Sequence, residues 1–171
     1  MTDVAPAGIT LDKSASPASL PEPGGNVSFN VQIDNPSTVD SVTITSLVDD
    51  VHGNLNGRGS CSVPQTIAPG GNYQCAFSAT VTGNAGETET DTVTATGTDD
   101  DGAPVQGSDT ATVTLTDVAP AGITVVKTAN PASLPEPGGN VTFNVRVNNP
   151  STVDTVTITS LVDDIHGNLN G

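Results

Sequence analysis

The chain has 171 residues, of which 34% are hydrophobic and only 2% aromatic, and its formal net charge at pH 7 is −15. Nucleic acids and anionic membranes are bound through Lys and Arg, so 4 basic residues against 19 acidic ones exclude both as partners. The sequence also contains no apolar run of about 18 residues, which excludes direct membrane insertion of this segment.

Much of the sequence occurs twice. Residues 2–57 return as residues 116–171, at an offset of 114 residues, and 46 of the 56 positions are identical. A repeated unit of this size is one ordinary domain, and close repetition is typical of arrays. We therefore expect a complete repeat at residues 2–115, the N-terminal half of the next repeat at 116–171 as a truncated window, and a short Pro-containing linker at about 116–122.

The complete repeat alternates apolar and polar residues with the period of a strand and shows no helical period. The clearest case places Val27, Phe29, Val31 and Ile33 on one face. The Pro-rich segment Ser16–Gly25 is predicted to be a turn, because proline is unsuited to an inner strand. The predicted strands are Ile9–Ala15, Asn26–Asn35, Val39–Val48, Cys61–Ile67, Tyr73–Val81, Asp91–Thr98 and Gly107–Thr116.

Seven short strands within about 110 residues predict an all-β fold, an immunoglobulin-like antiparallel β-sandwich in tandem repeats. The prediction depends on strand number and spacing, because the Trp of antibody domains is absent from this sequence.

The only two cysteines, Cys61 and Cys75, lie on neighbouring predicted strands. A disulfide across this span would stabilise the fold by roughly 3 kcal/mol and would indicate an oxidising compartment. The alternative is a pair of buried free thiols.

Three segments carry a resemblance to a known family. They are KSASPASLPEPGGNVSFNVQIDNPS, the Cys-containing SCSVPQTIAPGGNYQCAFSATV, and TDTVTATGTDDDG. Together they resemble the Ig-like repeats of large bacterial and archaeal surface proteins, which are conserved repeat domains of unknown function. The resemblance implies an extracellular stalk, adhesin or sheath component, and it implies no catalytic residues.

Acidic residues gather in the predicted loops at both ends of the sandwich. Clustered carboxylates and amide oxygens are the ligands that Ca²⁺ prefers, so we predict possible Ca²⁺ sites there. The alternative is a solvating acidic surface. The candidate ligands are Asp49, Asp50, Asn54, Glu87, Glu89 and Asp117 at one end, and Asp3, Asp34, Asp99, Asp100 and Asp101 at the other.

Lys13 shares the inward parity of Ile9 and Leu11 on its predicted strand, and Lys127 repeats the position. A buried Lys must pair with an acid or lose its charge, and Asp91 and Asp109 share inward parity on theirs. Bacterial Ig-like surface modules sometimes join such a Lys to Asp or Asn as an isopeptide, so the resemblance makes an isopeptide from Lys13 to Asp91 or Asp109 one hypothesis. The others are a salt bridge and an edge-strand Lys that reaches solvent.

His52 and His166 occur once per copy in a polar loop and are interpreted as solvated residues, because a zinc site needs further ligands nearby. No nucleophile elbow or phosphate-binding loop is present. The sequence thus predicts a non-enzymatic structural module at the cell surface, part of a semi-rigid stalk, sheath or filament, whose partners are neighbouring identical repeats. The alternative is an adhesion module that recognises a protein or carbohydrate through loops or an edge strand.

Overall fold

The computed structural model describes residues 8–118 and 122–170, and every regular element in these two ranges is a β-strand. The chain divides after Val118 into two compact units. Among the described residues there is no helix with the length and apolar character needed to cross a membrane. The first unit contains β1 (Thr10–Ser16), β2 (Ser19–Pro21), β3 (Gly24–Asp34), β4 (Val42–Asp49), β5 (Gly53–Asn54), β6 (Gln65–Ile67), β7 (Asn72–Thr82), β8 (Thr88–Asp99) and β9 (Pro104–Thr116).

These nine strands form two sheets. The first has the order β1-β3-β7, and the second has the order β2-β9-β8-β4-β5, with β6 also paired to β4. All pairs are antiparallel except the one between β2 and β9. The first unit is therefore an all-β structure of mainly antiparallel sheets, as a β-sandwich requires.

A single hydrophobic core lies between the two sheets. Phe29 and Phe77 come from the first sheet, whereas Leu47, Val93 and Val113 come from the second, and all five are buried. The inward residues alternate with outward ones along β3 and β7, as the sequence pattern predicted. Burial of this apolar surface is the main stabilising contribution to the unit.

One irregularity in β4 changes which side chains face the core. The register of β4 against β8 shifts between Ile44 and Ser46, so that Val42 and Ile44 are followed inward by Leu47 and Asp49. A β-bulge inserts one extra residue and reverses the parity of the residues after it. The bulge therefore turns Asp49 into the core.

Gly97 of β8 lies next to the bulge. A Cβ atom at this position would lie 2.0 Å from the carbonyl oxygen of Thr43, so a larger residue would collide with the β4 backbone. The glycine allows the two backbones to approach closely where the register changes.

Two predicted connections contain short strands instead. The Pro-rich segment Ser16–Gly25 contains β2, an edge strand with its backbone paired to β9, and the loop after Asp49 contains β5. The edge position of β2 agrees with the exclusion of proline from inner strands. The predicted loop between Thr82 and Thr90 is shorter than expected, because β8 begins at Thr88.

Cys61 and Cys75 form a disulfide that joins the segment before β6 to β7. Both residues are buried in the core cluster, and no free cysteine remains. The predicted disulfide is confirmed, and a disulfide is favoured in an oxidising compartment.

The second unit contains β10 (Thr124–Asn130), β11 (Thr142–Asn148), β12 (Val162–Asp163) and β13 (Gly167–Asn168). β10 pairs with β11 and β12 pairs with β13, both antiparallel. Most side chains of this unit are exposed.

Candidate functional site

The most unusual polar group in the core is the side chain of Lys13 on β1, which is fully inaccessible to solvent. Its Nζ atom lies 2.7 Å from Asp49 Oδ2 and 2.7 Å from Asp91 Oδ1. The inward parity predicted for Lys13 is therefore what the structure shows. An ammonium group in this position requires acidic neighbours, because an isolated charge in the core is strongly unfavourable.

The two oxygens of Asp49 have different environments. Oδ2 accepts the hydrogen bond from Lys13, and Oδ1 accepts backbone N–H groups from Val51 at 2.9 Å and His52 at 2.8 Å. Burial raises the pKa of Asp49, but the hydrogen bonds from Lys13, His52 and Val51 lower it by a larger amount. The pKa of Asp49 therefore lies below its usual range. The turn after β4 thus directs two N–H groups at one carboxyl oxygen.

Asp91 on β8 has a different environment. Its carboxyl group is buried, with Oδ1 2.7 Å from Lys13 Nζ and Oδ2 3.0 Å from His52 Nε2. Neither oxygen has a well-aligned hydrogen-bond partner, and the same holds for His52 Nε2 and for Oε1 of Glu89, 3.4 Å from that nitrogen. Asp91 is therefore a buried carboxyl group that is close to possible proton donors without being fixed by any of them.

Aromatic rings cover these polar groups. The ring centroids of Phe29 and Phe77 lie 5.2 Å apart, and that of His52 lies 5.3 Å from Phe29 and 5.7 Å from Phe77. Lys13 Nζ lies 4.8 Å from the Phe29 centroid. The rings exclude water and lower the local dielectric constant, which strengthens every charge interaction in the site.

His52 was interpreted from sequence as a solvated loop residue, and this interpretation is wrong. Its side chain is only 10% exposed and packs against the two phenylalanine rings. The loop that carries it folds back over the core because Asp49 and β5 fix both of its ends.

Asp49, His52 and Asp91 bring their ligand atoms within 4.8 Å of one another, the spacing of a metal site. Lys13 Nζ, however, already lies within 2.7 Å of both carboxyl groups. A divalent cation there would have to displace a buried ammonium or bear its repulsion. The arrangement fits an amine between two carboxyl groups better than it fits a metal centre.

The residues of the first predicted calcium cluster do not converge on one point. Asp50 accepts the backbone N–H of Thr92, Asn54 accepts that of Asn56, and Glu87 accepts that of Asn84. The Asn84 contacts lower the pKa of Glu87. Asn54 and Glu87 therefore serve their own turns, and Asp50 contacts the backbone of β8.

Of the other three members of that cluster, Asp49 contacts Lys13, as described above. Glu89 lies beside His52, and Asp117 is an exposed residue that follows β9.

In the second predicted cluster, Asp100 and Asp101 come together with Asp40, which the sequence interpretation had omitted. Asp99 instead accepts the backbone N–H groups of Asp101 and Ala103 within its turn. Asp34 accepts the side-chain amide of Gln32, and Asp3 lies outside the described residues. Calcium binding at this end stays a prediction.

Of the two acids proposed for Lys13, the structure places only Asp91 at the ammonium. Asp109 accepts the backbone N–H of Lys13 at 2.7 Å and so fixes β1 beside β9. The second acid at the amine is Asp49, at the same distance as Asp91. The sequence analysis had assigned Asp49 only to the calcium cluster. The parity reversal at the β4 bulge hid its inward position.

The second unit repeats part of the site. Lys127 Nζ contacts Asp163 Oδ2, and Asp163 Oδ1 accepts the backbone N–H groups of Ile165 and His166, each at 3.0 Å. Lys127 Nζ also lies 4.6 Å from the Phe143 ring centroid. The amine, its carboxyl partner and the turn are therefore built twice from the repeated sequence.

The sequence matches no protein-family model and no curated protein.

Proposed function

We propose that the chain is a structural, non-enzymatic module of a long extracellular protein, in which Ig-like repeats follow one another in a semi-rigid stalk, sheath or filament. The observation that carries the proposal is the return of 56 residues at an offset of 114 with 46 identities. Repetition of a domain-sized unit supplies length and regular spacing.

The local structures of the two copies support the proposal. The pairing of β10 with β11 reproduces the register of β1 with β3, and both copies direct a Lys at an Asp that accepts two turn N–H groups. Equivalent residues therefore adopt equivalent local structure, as members of an array do. The disulfide and the net charge of −15 suit a solvated surface outside the cell.

An immunolabelling experiment tests the proposal. Antibodies raised against the 171-residue chain are applied to intact, unpermeabilised producing cells and visualised with gold by electron microscopy. We expect label on the outer surface, spaced regularly along extended structures. Label that appears only after permeabilisation would contradict an extracellular role, whatever the internal chemistry of the module.

One observation favours a binding module as the second candidate. The outer face of the first sheet carries a shallow polar groove lined by Asp12, Ser14, Asn30, Gln32 and Gln74. Amide, hydroxyl and carboxyl groups on neighbouring strands can form hydrogen bonds with a carbohydrate or an extended peptide.

A glycan array probed with the labelled chain tests this alternative. Saturable binding that is lost in an Asn30→Ala, Gln74→Ala variant would support it. Absence of binding to any glycan, together with surface labelling in regular arrays, would leave the structural role alone.

A further inference from the structure

We propose that Lys13 and Asp49 condense to form an intramolecular isopeptide bond, with Asp91 as the group that transfers the protons. The amine is within 2.7 Å of a carboxyl oxygen of each acid, in a site closed to water. Fixed proximity of this kind replaces an encounter in solution and is a large part of the acceleration of such reactions.

The environment of Asp49 identifies it as the electrophile. Attack on its Cγ atom transfers negative charge to one carboxyl oxygen. Oδ1 already accepts two backbone N–H groups, from Val51 and His52. Paired N–H groups that point at one oxygen stabilise the charge of a tetrahedral intermediate. Oδ2, on the side of the amine, is left as the departing oxygen.

Asp91 lacks such support and therefore suits the other role. None of its oxygens is held by an aligned donor, and Oδ1 faces the same amine. A carboxyl group in this position can take a proton from Nζ and return it to Oδ2. The other oxygen of this carboxyl group, Asp91 Oδ2, lies 3.0 Å from His52 Nε2 without an aligned hydrogen bond.

The reaction balances without a further reactant. The Lys13 ammonium passes one proton through Asp91 to Asp49 Oδ2, and the neutral amine attacks Cγ, which places the charge on Oδ1. Asp91 then moves a second proton from the nitrogen to Oδ2, the C–Oδ2 bond breaks, and water leaves. One ammonium and one carboxylate become one neutral amide. The oxygen of the water comes from Asp49 and both of its hydrogens come from Lys13.

Trypsin provides a direct test, because the chain contains only Lys13, Arg58, Lys127 and Arg146 as cleavage sites. A lysine in an amide is not cleaved. We therefore expect the folded 171-residue chain, digested after denaturation, to give residues 1–58 as one peptide lighter by the mass of one water molecule. Tandem mass spectrometry should locate the bond between Lys13 and Asp49. A separate peptide 14–58 at full mass, from protein with the Cys61–Cys75 disulfide formed, would overturn the proposal.

Two other products also discriminate. A branched peptide that joins residues 1–58 to 59–127 would place the bond at Asp91 and overturn the assignment of Asp49. Formation of a cyclic imide at Asp101–Gly102 would also release one water molecule, but it would change only the peptide 59–127 and would leave Lys13 cleavable. Such a product would therefore not be evidence for the isopeptide bond.

Lys127 serves as the internal control. Residues 122–170 hold the pair Lys127 and Asp163 with its two N–H groups, but no second carboxyl group faces that amine in the described part of this unit. We expect normal cleavage after Lys127. Equal protection of Lys127 would contradict the need for Asp91.

The variant Asp91→Asn tests the proton transfer while it preserves size and hydrogen-bonding capacity. General acid–base groups contribute about 10²- to 10⁴-fold, so crosslinking should slow by at least about a hundredfold. Unchanged far-ultraviolet circular dichroism and an intact disulfide show that the variant folds. Crosslinking at the wild-type rate in such folded protein would exclude Asp91 from the role.

Discussion

Two 56-residue segments with 46 identical positions occur in different settings, and the comparison separates local structure from tertiary packing. Phe29 is fully buried and its counterpart Phe143 is 43% exposed, and the side chain of Lys13 is inaccessible whereas that of Lys127 is 36% exposed. Strand pairing and the turn that holds the acid are nevertheless retained. The hairpin and the turn are therefore properties of the repeated sequence itself, and their burial depends on strands β7, β8 and β9.

The counterpart of β4 makes the same point. In the first unit β4 runs over eight residues, with β8 and β6 as neighbours. The equivalent stretch of the second unit is a strand only at Val162–Asp163, where β13 pairs with it. A strand of this length persists when ladder partners satisfy its backbone groups.

Matched lysine substitutions should give the largest contrast. Lys13→Met leaves Asp49 and Asp91 facing each other in the core without a cation, and it also prevents the proposed bond between Lys13 and Asp49. Breaking a buried ion pair costs about 3–5 kcal/mol, so we expect urea unfolding of the chain to shift to a clearly lower midpoint. Lys127→Met should leave the main transition unchanged. Equal effects of the two substitutions would contradict the assigned difference in burial.

Matched phenylalanine substitutions test the core in the same way. Phe29→Ala removes a ring that packs on Phe77 and on the Lys13 amine, and it should destabilise the first unit by about 3–5 kcal/mol. Phe143→Ala, at a half-exposed site, should have little effect on thermal unfolding. A small effect at Phe29 would mean that the two sheets do not share the core described above.

Calcium binding is tested at the acidic group of the first unit that contains Asp40, Asp100 and Asp101. If Ca²⁺ binds at Asp40, Asp100 and Asp101, linkage predicts stabilisation by about 2.7 kcal/mol at a concentration one hundred times the dissociation constant. Differential scanning calorimetry in calcium and in EDTA measures this shift. An Asp100→Asn variant is the control and should lose it. Identical transitions in both buffers would leave these carboxylates as solvating surface.

The smallest expected effect is a difference in titration between Asp163 and Asp49. The hydrogen bond from Lys127 and the N–H groups of His166 and Ile165 hold the pKa of Asp163 well below its usual range. Its ion pair therefore stabilises the second unit above the unfolded pKa, and this contribution is lost as the pH falls through the lower folded value.

Carboxyl-carbon NMR of the chain from pH 6 downward checks this difference. Asp163 should remain ionised below the pH at which a free aspartate protonates, which is about 3.9. Asp49, as an amide, should not titrate. A normal aspartate titration at Asp163 would contradict its hydrogen bonds, and any titration at Asp49 would show a free carboxyl group.

The alternation of Val27, Phe29, Val31 and Ile33 was sufficient to place β3 and its inward face, and the same reasoning located β1, β7, β8 and β9. Parity predicted an inward Lys13 and spacing favoured the disulfide between Cys61 and Cys75, and the structure shows both. The face of a strand on which a residue lies is a local feature, and the period of two residues along the strand indicates it directly.

The lysine's partners required the tertiary structure. Asp49 faces the core because β4 shifts register after Ile44. The sequence marks this shift only weakly, by apolar Leu47 on the parity opposite to that of Ile44. His52 is buried because its loop folds over rings contributed by β3 and β7. The sequence by itself determined the long strands, a favoured pairing of the two cysteines and a lysine in need of an acid. Only the packing of the two sheets decided which acids meet it, because that choice depends on backbone register between segments far apart in the chain.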